Sequence, residues 1–301
     1  MSKVFEALQR AEKDSSPQRT PKVLIPVPGE DSTAVSGLPQ ELASLGSAVS
    51  EAKLRAGGLS PWLFVCHGDH PHLVEQIKRL RTHLLYSSPA GREPRVILVT
   101  SAGAGEGKSL IAANLAASIA QGMSEAAVLA DADLRHPTLH KLFGMEVSPG
   151  LSDHLAGHAR LQDLLRDTGI PKLRLLAAGS RTEKPIELIS SERMKAVIRE
   201  VRSWGPEQFL VLDTTPVLVT SEPRVLSLEA DAVVLVVRHD HTPRGALKEA
   251  ISLLGNEKVA ALVFNDAPRE SLKLYGHAYG SYYHDGDYGQ RRKGGRKRNK
   301  G

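Results

Sequence analysis

One stretch, Val96–Ala120 (VILVTSAGAGEGKSLIAANLAASIA), restricts the fold of this 301-residue chain more than any other. Four apolar residues in a row, Val96, Ile97, Leu98 and Val99, predict a buried strand. Gly103, Gly105 and Gly107 follow within five residues, then Lys108 and Ser109, then an Ala/Leu/Ile helix with Asn114 inside it. Strand, glycine-rich loop and helix in this order cradle phosphate groups. The glycines let backbone N–H groups turn inward, the helix N-terminus adds positive potential, and the lysine reaches the β- and γ-phosphates. The serine hydroxyl beside it suits Mg2+. The strict pattern G-x-x-x-x-G-K-[ST] asks for glycine where this chain has Ala102, so the loop needs support from the rest of the sequence.

That support lies downstream. Ala127–Asp133 (AVLADAD) is an apolar strand ending in two aspartates, with Arg135 just beyond. Phe209–Asp213 (FLVLD) is another, ending in Asp213. Carboxylates at the carboxyl ends of parallel strands lie beside a phosphate loop, because ligands bind in that crevice. Mg2+ takes one or two carboxylates together with phosphate oxygens. A glycine-rich loop alone also admits the reading of an ordinary turn. Gly-Lys-Ser, Asp-x-Asp and a strand-final aspartate, in that order, favour the phosphate reading.

From Arg95 onward strands and helices alternate. Strands are predicted at 95–100, 126–131, 172–177, 208–213, 231–237 and 258–264, and helices at 108–121, 185–203, 222–229 and 243–254. Continuous apolar strands such as VVLVV are covered on both faces, which gives an α/β domain with a doubly wound, mostly parallel sheet. Ahead of it, His72–Tyr86 predicts a helix and Trp62–Cys66 a short strand. The chain divides into an amphipathic N-terminal helix (1–13), with Val4, Phe5, Leu8 and Ala11 on one face, and a Ser/Pro/Gly/Ala-rich flexible linker (14–60) with a weak helix over 38–54. The folded domain (61–268), a tyrosine-rich tail (269–290) and a basic tail (291–301) follow.

Composition narrows the function classes. Cys66 is the only cysteine, so no intrachain disulfide forms and a reducing cytoplasm is expected. No apolar run approaches the ~20 residues of a membrane span, and the charged, mixed N-terminus is no signal peptide. The net charge of +5 misleads, because seven positive charges fall in the last eleven residues; without them residues 1–290 carry −2. The folded part is near neutral, and no nucleic-acid partner is expected. His67, His70 and His72 are locally dense but have no Cys or carboxylate set to complete a metal site. Five of the six tyrosines, Tyr275, Tyr279, Tyr282, Tyr283 and Tyr288, crowd into fourteen residues without a core-forming pattern.

On these residues the chain resembles the bacterial tyrosine kinases, the polysaccharide biosynthesis tyrosine autokinases. Ser101–Ser109 (SAGAGEGKS) resembles the family's variant first Walker motif, and Val128–Pro137 (VLADADLRHP) its second motif. Leu210–Val217 (LVLDTTPV) resembles its Walker B motif, with Thr215 in place of the first proline of Asp-Thr-Pro-Pro. Glu75, Lys78 and Arg81 resemble the E-x-x-R-x-x-R oligomerisation motif, with Lys78 for the central arginine. The tyrosine cluster completes the match, over roughly residues 60–290.

The resemblance implies the fold of P-loop NTPases with a deviant Walker A loop, related to partition and septum-site ATPases. It implies ATP and Mg2+ as cofactors, with nucleotide contacts from Gly103, Ala104, Gly105, Glu106, Gly107, Lys108, Ser109 and Leu110, and with Asn265 either toward the base or an ordinary loop residue. Ser109, Asp131 and Asp213 are the expected metal ligands. Lys108, Asp131, Asp133 and Asp213 are the expected catalytic set, Asp131 orienting and deprotonating the incoming phenol, whose ordinary pKa near 10 makes it a poor nucleophile. Asp133 alternatively pairs with Arg135. Tyr275, Tyr279, Tyr282, Tyr283 and Tyr288 are the expected autophosphorylation sites, entered in trans within a ring-shaped homo-oligomer. The implied partner is a transmembrane polysaccharide co-polymerase that activates the kinase. The implied location is cytoplasmic and peripheral at the inner face of the plasma membrane, with the basic tail offered to anionic lipid.

Two rivals stay open at this level. One is a positioning ATPase of the partition type, which hydrolyses ATP without phosphorylating protein. Such ATPases carry a second lysine five residues before the P-loop lysine, where this chain has Gly103. The other is a catalytically weak scaffold of the export machinery, against which Lys108, Ser109, Asp131, Asp133 and Asp213 all stand intact.

Overall fold

The computed structural model describes residues 23–28, 59–67, 70–86 and 94–267. The predicted amphipathic helix, the weak helix at 38–54, the tyrosine cluster and the basic tail lie outside the described residues. Eight strands form one sheet: β1 (Val23–Pro28), β2 (Val96–Ser101), β3 (Ala126–Asp131), β4 (Leu165–Asp167), β5 (Leu173–Leu176), β6 (Gln208–Asp213), β7 (Ala232–Arg238) and β8 (Val259–Ala267). Their order is β1-β8-β7-β2-β6-β3-β5-β4, and every neighbour pair is parallel except β4 with β5. The helices are α1 (Phe64–His67), α2 (Pro71–Tyr86), α3 (Lys108–Ala120), α4 (Leu139–Leu142), α5 (Leu151–Ala156), α6 (Leu161–Leu164), α7 (Pro185–Ile189), α8 (Glu192–Ser203), α9 (Glu222–Glu229) and α10 (Arg244–Leu254).

Alternation along each strand sorts its side chains onto two layers. Ile97 and Val99 of β2 join a core with Ile111 and Leu115 of α3 and Ile77 and Leu80 of α2. Val96 and Leu98 join the opposite core, with Val197 and Val201 of α8, Leu226 of α9 and Leu254 of α10. Helices on both faces explain why the strands read as unbroken apolar runs. Residues 111–120 of α3 are all buried, and alanine at five of those ten positions lets the helix lie deep between sheet, α2 and α1.

The structure corrects several expectations. The segment expected as linker over 14–60 supplies β1, which pairs in parallel register with β8 from Val23↔Ala261 to Pro28↔Ala267. Its two prolines sit on an edge strand, where a missing N–H costs little. Trp62–Cys66 is a turn running into α1, not a strand, because its backbone bonds to a side chain instead of a ladder. The Val65 N–H donates to Asn114 Oδ1 at 3.2 Å, and Asn114 Nδ2 donates to Trp62 O at 2.9 Å. Cys66 packs against the core there, and burial pushes its thiol above its ordinary range. The helix expected over 185–203 is two helices, since Ser191 caps α8 by accepting from the Met194 N–H at 3.3 Å. The short elements β4, α4, α5 and α6 lack enough residues to show a period in sequence.

Candidate active site

The loop between β2 and α3 starts at Ala102, the residue that departs from the strict pattern. Ala102 is buried in the core, and its N–H donates to Glu106 Oε2 at 2.9 Å. A side chain is tolerated there because this N–H is spent inside the loop. Gly105 and Gly107 have φ of 73° and 90°, which glycine adopts without strain. A Cβ on Gly107 would also overlap Asn265 Nδ2, and that group donates to Glu106 O at 3.0 Å. The helix ladder begins with the Ile111 N–H to Gly107 O, so the N–H groups of Lys108, Ser109 and Leu110 face out of the helix end.

Two of the expected nucleotide-contact residues also brace the loop. The Glu106 side chain is buried and braces the loop: one oxygen takes the Ala102 N–H, the other the Thr242 hydroxyl. Asn265, expected toward the base, spends its amide on the Glu106 carbonyl. The loop is thus suspended from the ends of β7 and β8. Gly103, Ala104, Gly105 and Gly107 remain on the outer surface of the cradle.

Lys108 is the first residue of α3 and lies under this loop. Its Nζ is 3.1 Å from Asp133 Oδ2 and 4.0 Å from Asp213 Oδ1, and it donates to Ser109 Oγ at 3.2 Å. Burial opposes its charge, but Asp213 and Asp133 outweigh burial and hold its pKa above the ordinary lysine value. It is a fixed cation.

The three aspartates differ. Asp131 and Asp213 face each other across the β3–β6 ladder. Asp131 is fully buried, with Oδ1 accepting from the Asp133 N–H at 3.2 Å and Oδ2 from the Thr138 and Leu139 N–H groups, each at 3.1 Å. Burial, with Asp213 and Asp133 nearby, pushes its carboxyl well above the usual range. Its oxygens shape the 131–139 loop, and the carboxylate that meets Lys108 is Asp133. Asp133 does not pair with Arg135; its Oδ1 accepts the His136 N–H at 2.9 Å, while Arg135 Nε donates to Glu222 Oε1 at 2.8 Å. Asp213 is fully buried and neither oxygen has a hydrogen-bond partner. Burial raises its carboxyl to about 6, against the pull of Lys108 and Ser109.

Three buried carboxylates against one lysine leave surplus negative charge, and the unmet Asp213 oxygens stand next to the Ser109 hydroxyl. This donor set fits Mg2+. Among the described residues no three Asp, Glu, His or Cys side chains converge into a protein-only metal site. Thr215, standing for a proline, bonds its hydroxyl to that of Thr220, and its carbonyl accepts the Thr100 hydroxyl at 2.8 Å.

The expected oligomerisation triad on α2 separates. Glu75 approaches Arg79 at 3.8 Å, not Lys78, and Lys78 is exposed. Arg81 Nη1 donates to Ser118 O at 2.7 Å and ties α2 to α3. Glu222 and Thr242 went unnoticed in the sequence. Glu222 reads there as an ordinary acid in a first helical turn, and Thr242 as a loop hydroxyl.

No family model matches the chain. A Ralstonia solanacearum protein named EpsB is 34% identical over 213 residues, covering 69% of this chain and 28% of that protein. The chain therefore spans little more than a quarter of such a relative. Tyrosine-protein kinase YwqD of Bacillus subtilis (strain 168) is 31% identical over 212 residues, 69% of this chain and 85% of that protein. The crystal structure of the chimerical protein CapA2B2 superposes with a TM-score of 0.64 at 28% identity, over 72% of this chain and 97% of that one. With the phosphate loop, the aspartate pair after β3 and the aspartate ending β6 in place, the chain belongs to the bacterial tyrosine-protein kinases.

Proposed function

We propose that this chain is an ATP- and Mg2+-dependent protein-tyrosine autokinase. Its substrates are tyrosines of its own C-terminal cluster, presented by a neighbouring copy in a ring. It serves the control of exopolysaccharide or capsule synthesis and export, at the inner face of the plasma membrane beside a transmembrane co-polymerase. The observation that carries the reading is the buried charge set, Lys108 on Asp133 with Asp213 unmet beside it. No helix among the described residues is long and apolar enough to cross a membrane, so a membrane partner would be a separate or additional segment.

In this reading the free N–H groups of the cradle and of Lys108, Ser109 and Leu110 bind the phosphates, and Lys108 leaves Asp133 for the β/γ-phosphate oxygens. Asp213 and Ser109 would hold Mg2+, which offsets phosphate charge when bound. Asp133, released from Lys108, accepts the phenol proton as the tyrosine oxygen bonds to the γ-phosphorus. The bond to the β-bridging oxygen breaks and ADP departs. Asp131 stays behind the loop and holds Asp133 in place through the Asp133 N–H. This reassigns the base from Asp131, whose oxygens are occupied by backbone, to Asp133.

The test is incubation of the purified full chain with ATP and Mg2+, followed by mass spectrometry of the 275–288 tyrosines, with Lys108→Met as control. Phosphotyrosine that depends on Lys108 is the expected result. Inorganic phosphate released without phosphotyrosine would overturn the reading in favour of a positioning ATPase.

A further inference from the structure

Outside the phosphate-binding set, Arg135 and Glu222 form a second charged pair. The two partners differ sharply in burial, the Arg135 side chain being 43% exposed and that of Glu222 2%. Only Arg135 Nε meets Glu222, at Oε1, and Glu222 Oε2 is buried with no hydrogen-bond partner. A half-satisfied buried carboxylate is costly, and a pair kept only to tie two elements would close both oxygens on the guanidinium fork. The single Nε contact instead fixes the guanidinium by its base. Its two terminal amino groups meet no acceptor among the described residues and stay open to solvent.

The position of the pair matters as much. Arg135 lies two residues beyond Asp133, the carboxylate 3.1 Å from Lys108. Glu222 opens α9, just past Val217 and Leu218, whose N–H groups bond the Ser101 and Ala102 carbonyls at the root of the phosphate loop.

We propose that Arg135, held by Glu222, selects among tyrosines by pairing with a carboxylate next to the target; this rests on the tyrosine-kinase reading. The tail offers a clear contrast. Tyr288 follows Asp285 and Asp287, and Tyr283 precedes both by two and four positions, whereas no acidic residue lies within four positions of Tyr275 or Tyr279; Tyr282, with Asp285 alone three positions on, is intermediate. The site therefore favours Tyr283 and Tyr288. Arg135 is the specificity residue, and Glu222 is a positioning residue that acts through it.

The experiment follows each tyrosine of the full chain by time-resolved mass spectrometry in Mg2+ and ATP. Tyr283 and Tyr288 should label about fivefold faster than Tyr275 and Tyr279, the span of one partly exposed ion pair. Asp285→Asn with Asp287→Asn should erase that lead and leave the Tyr275 rate as it was. Arg135→Gln should erase it too, with the KM for ATP unchanged. Glu222→Gln, which still offers Nε an acceptor, should keep part of the lead, and Glu222→Leu none. Even labelling in the unaltered chain, or a lead that survives Arg135→Gln, overturns the proposal. If Arg135→Gln does not fold, the paired tail variant, whose positions lie outside the described residues, decides alone. Absence of all phosphotyrosine would instead sink the kinase reading itself.

Discussion

Asp213 ends β6 with both oxygens buried and without a hydrogen bond, and Lys108 Nζ at 4.0 Å offsets its charge only in part, which makes the ionised form costly. Its carboxyl titrates at about 6 in the folded chain, against about 4 for an unfolded aspartate. Between those values the folded state holds the extra proton, so stability falls as pH rises through the window, and the full cost stands above pH 6. The shift corresponds to a cost on the order of 3 kcal/mol. Asp213→Asn, free of nucleotide, should therefore melt several degrees above the parent at pH 7.5, with the gap closing toward pH 4. It should gain little from Mg2+ and ATP, which should stabilise the parent strongly. Equal melting of the two proteins at pH 7.5 would contradict this account. Asp133→Asn should cut phosphotyrosine formation by about a hundredfold while ATP still binds, as expected for loss of a positioned base. That Lys108 and the three aspartates come together at one strand end was legible in the sequence, because strand-final acids beside a Gly-Lys-Ser loop leave few alternatives. Their division of labour was not. Asp131 and Asp133 alternate in an Asp-x-Asp run and look equivalent until the 131–139 loop folds back and spends the Asp131 oxygens on three N–H groups.

At the scale of elements, the phosphate loop holds its shape by hanging from two neighbouring strand ends. Glu106 reaches the Thr242 hydroxyl beyond β7, and Asn265 in β8 reaches the Glu106 carbonyl. Thr242→Val should raise the KM for ATP by about tenfold, the lower end of what one hydrogen bond to a charged group is worth. Glu106→Ala should raise it at least as much, and the double variant should be no worse than Glu106→Ala, since the two residues act as one brace. Nucleotide titration of the three variants checks this, and additive effects would separate them. Asn114 performs a similar service for α1, and Asn114→Ala should cost about 1–3 kcal/mol in urea unfolding by leaving the Val65 N–H unmet. The central strands and α3 were plain in sequence because each is a continuous apolar run or a small-residue helix. β1 was hidden by its surroundings: VLIPVP is brief, holds two prolines and lies in a Ser/Pro-rich stretch, and only the open edge of β8 gives it a partner.

For the whole molecule, the outer face of α2 is the candidate contact between copies. Glu75 and Lys78 lie on it, whereas Arg81 is tied to the Ser118 carbonyl and would damage the chain's own packing if reversed. Glu75→Lys and Lys78→Glu should each lower the mass measured in solution, and the double reversal should restore part of it if the two meet across a ring contact. Unchanged mass in both single variants would mark a solvated face. The seven basic residues of 291–301 would each supply about 1 kcal/mol of attraction if held near an anionic membrane. Phosphorylation of the neighbouring tyrosines adds roughly −1.5 to −2 charges each. Anionic vesicles should therefore sediment the unmodified chain better than the autophosphorylated one, and equal sedimentation would remove the tail from membrane binding.

One further consequence follows from the parallel pairing of β1 with β8, which sets Pro28 opposite Ala267 at the end of the sheet that carries the phosphate loop. The segment after Pro28 and the tail after Ala267 are both rooted at that corner. From Ala267, β8 is two strand spacings, about 10 Å, from β2 and its loop. The eight residues to Tyr275 can extend about 27 Å. If the tail tyrosines are substrates, such a tether would give Tyr275 a high effective concentration around its own site before any neighbour arrives. Proximity alone does not set a copy's own tyrosines apart from those of its neighbour, so a ring must win by orientation. If it does, labelling per molecule falls as the protein is diluted below the point where rings come apart.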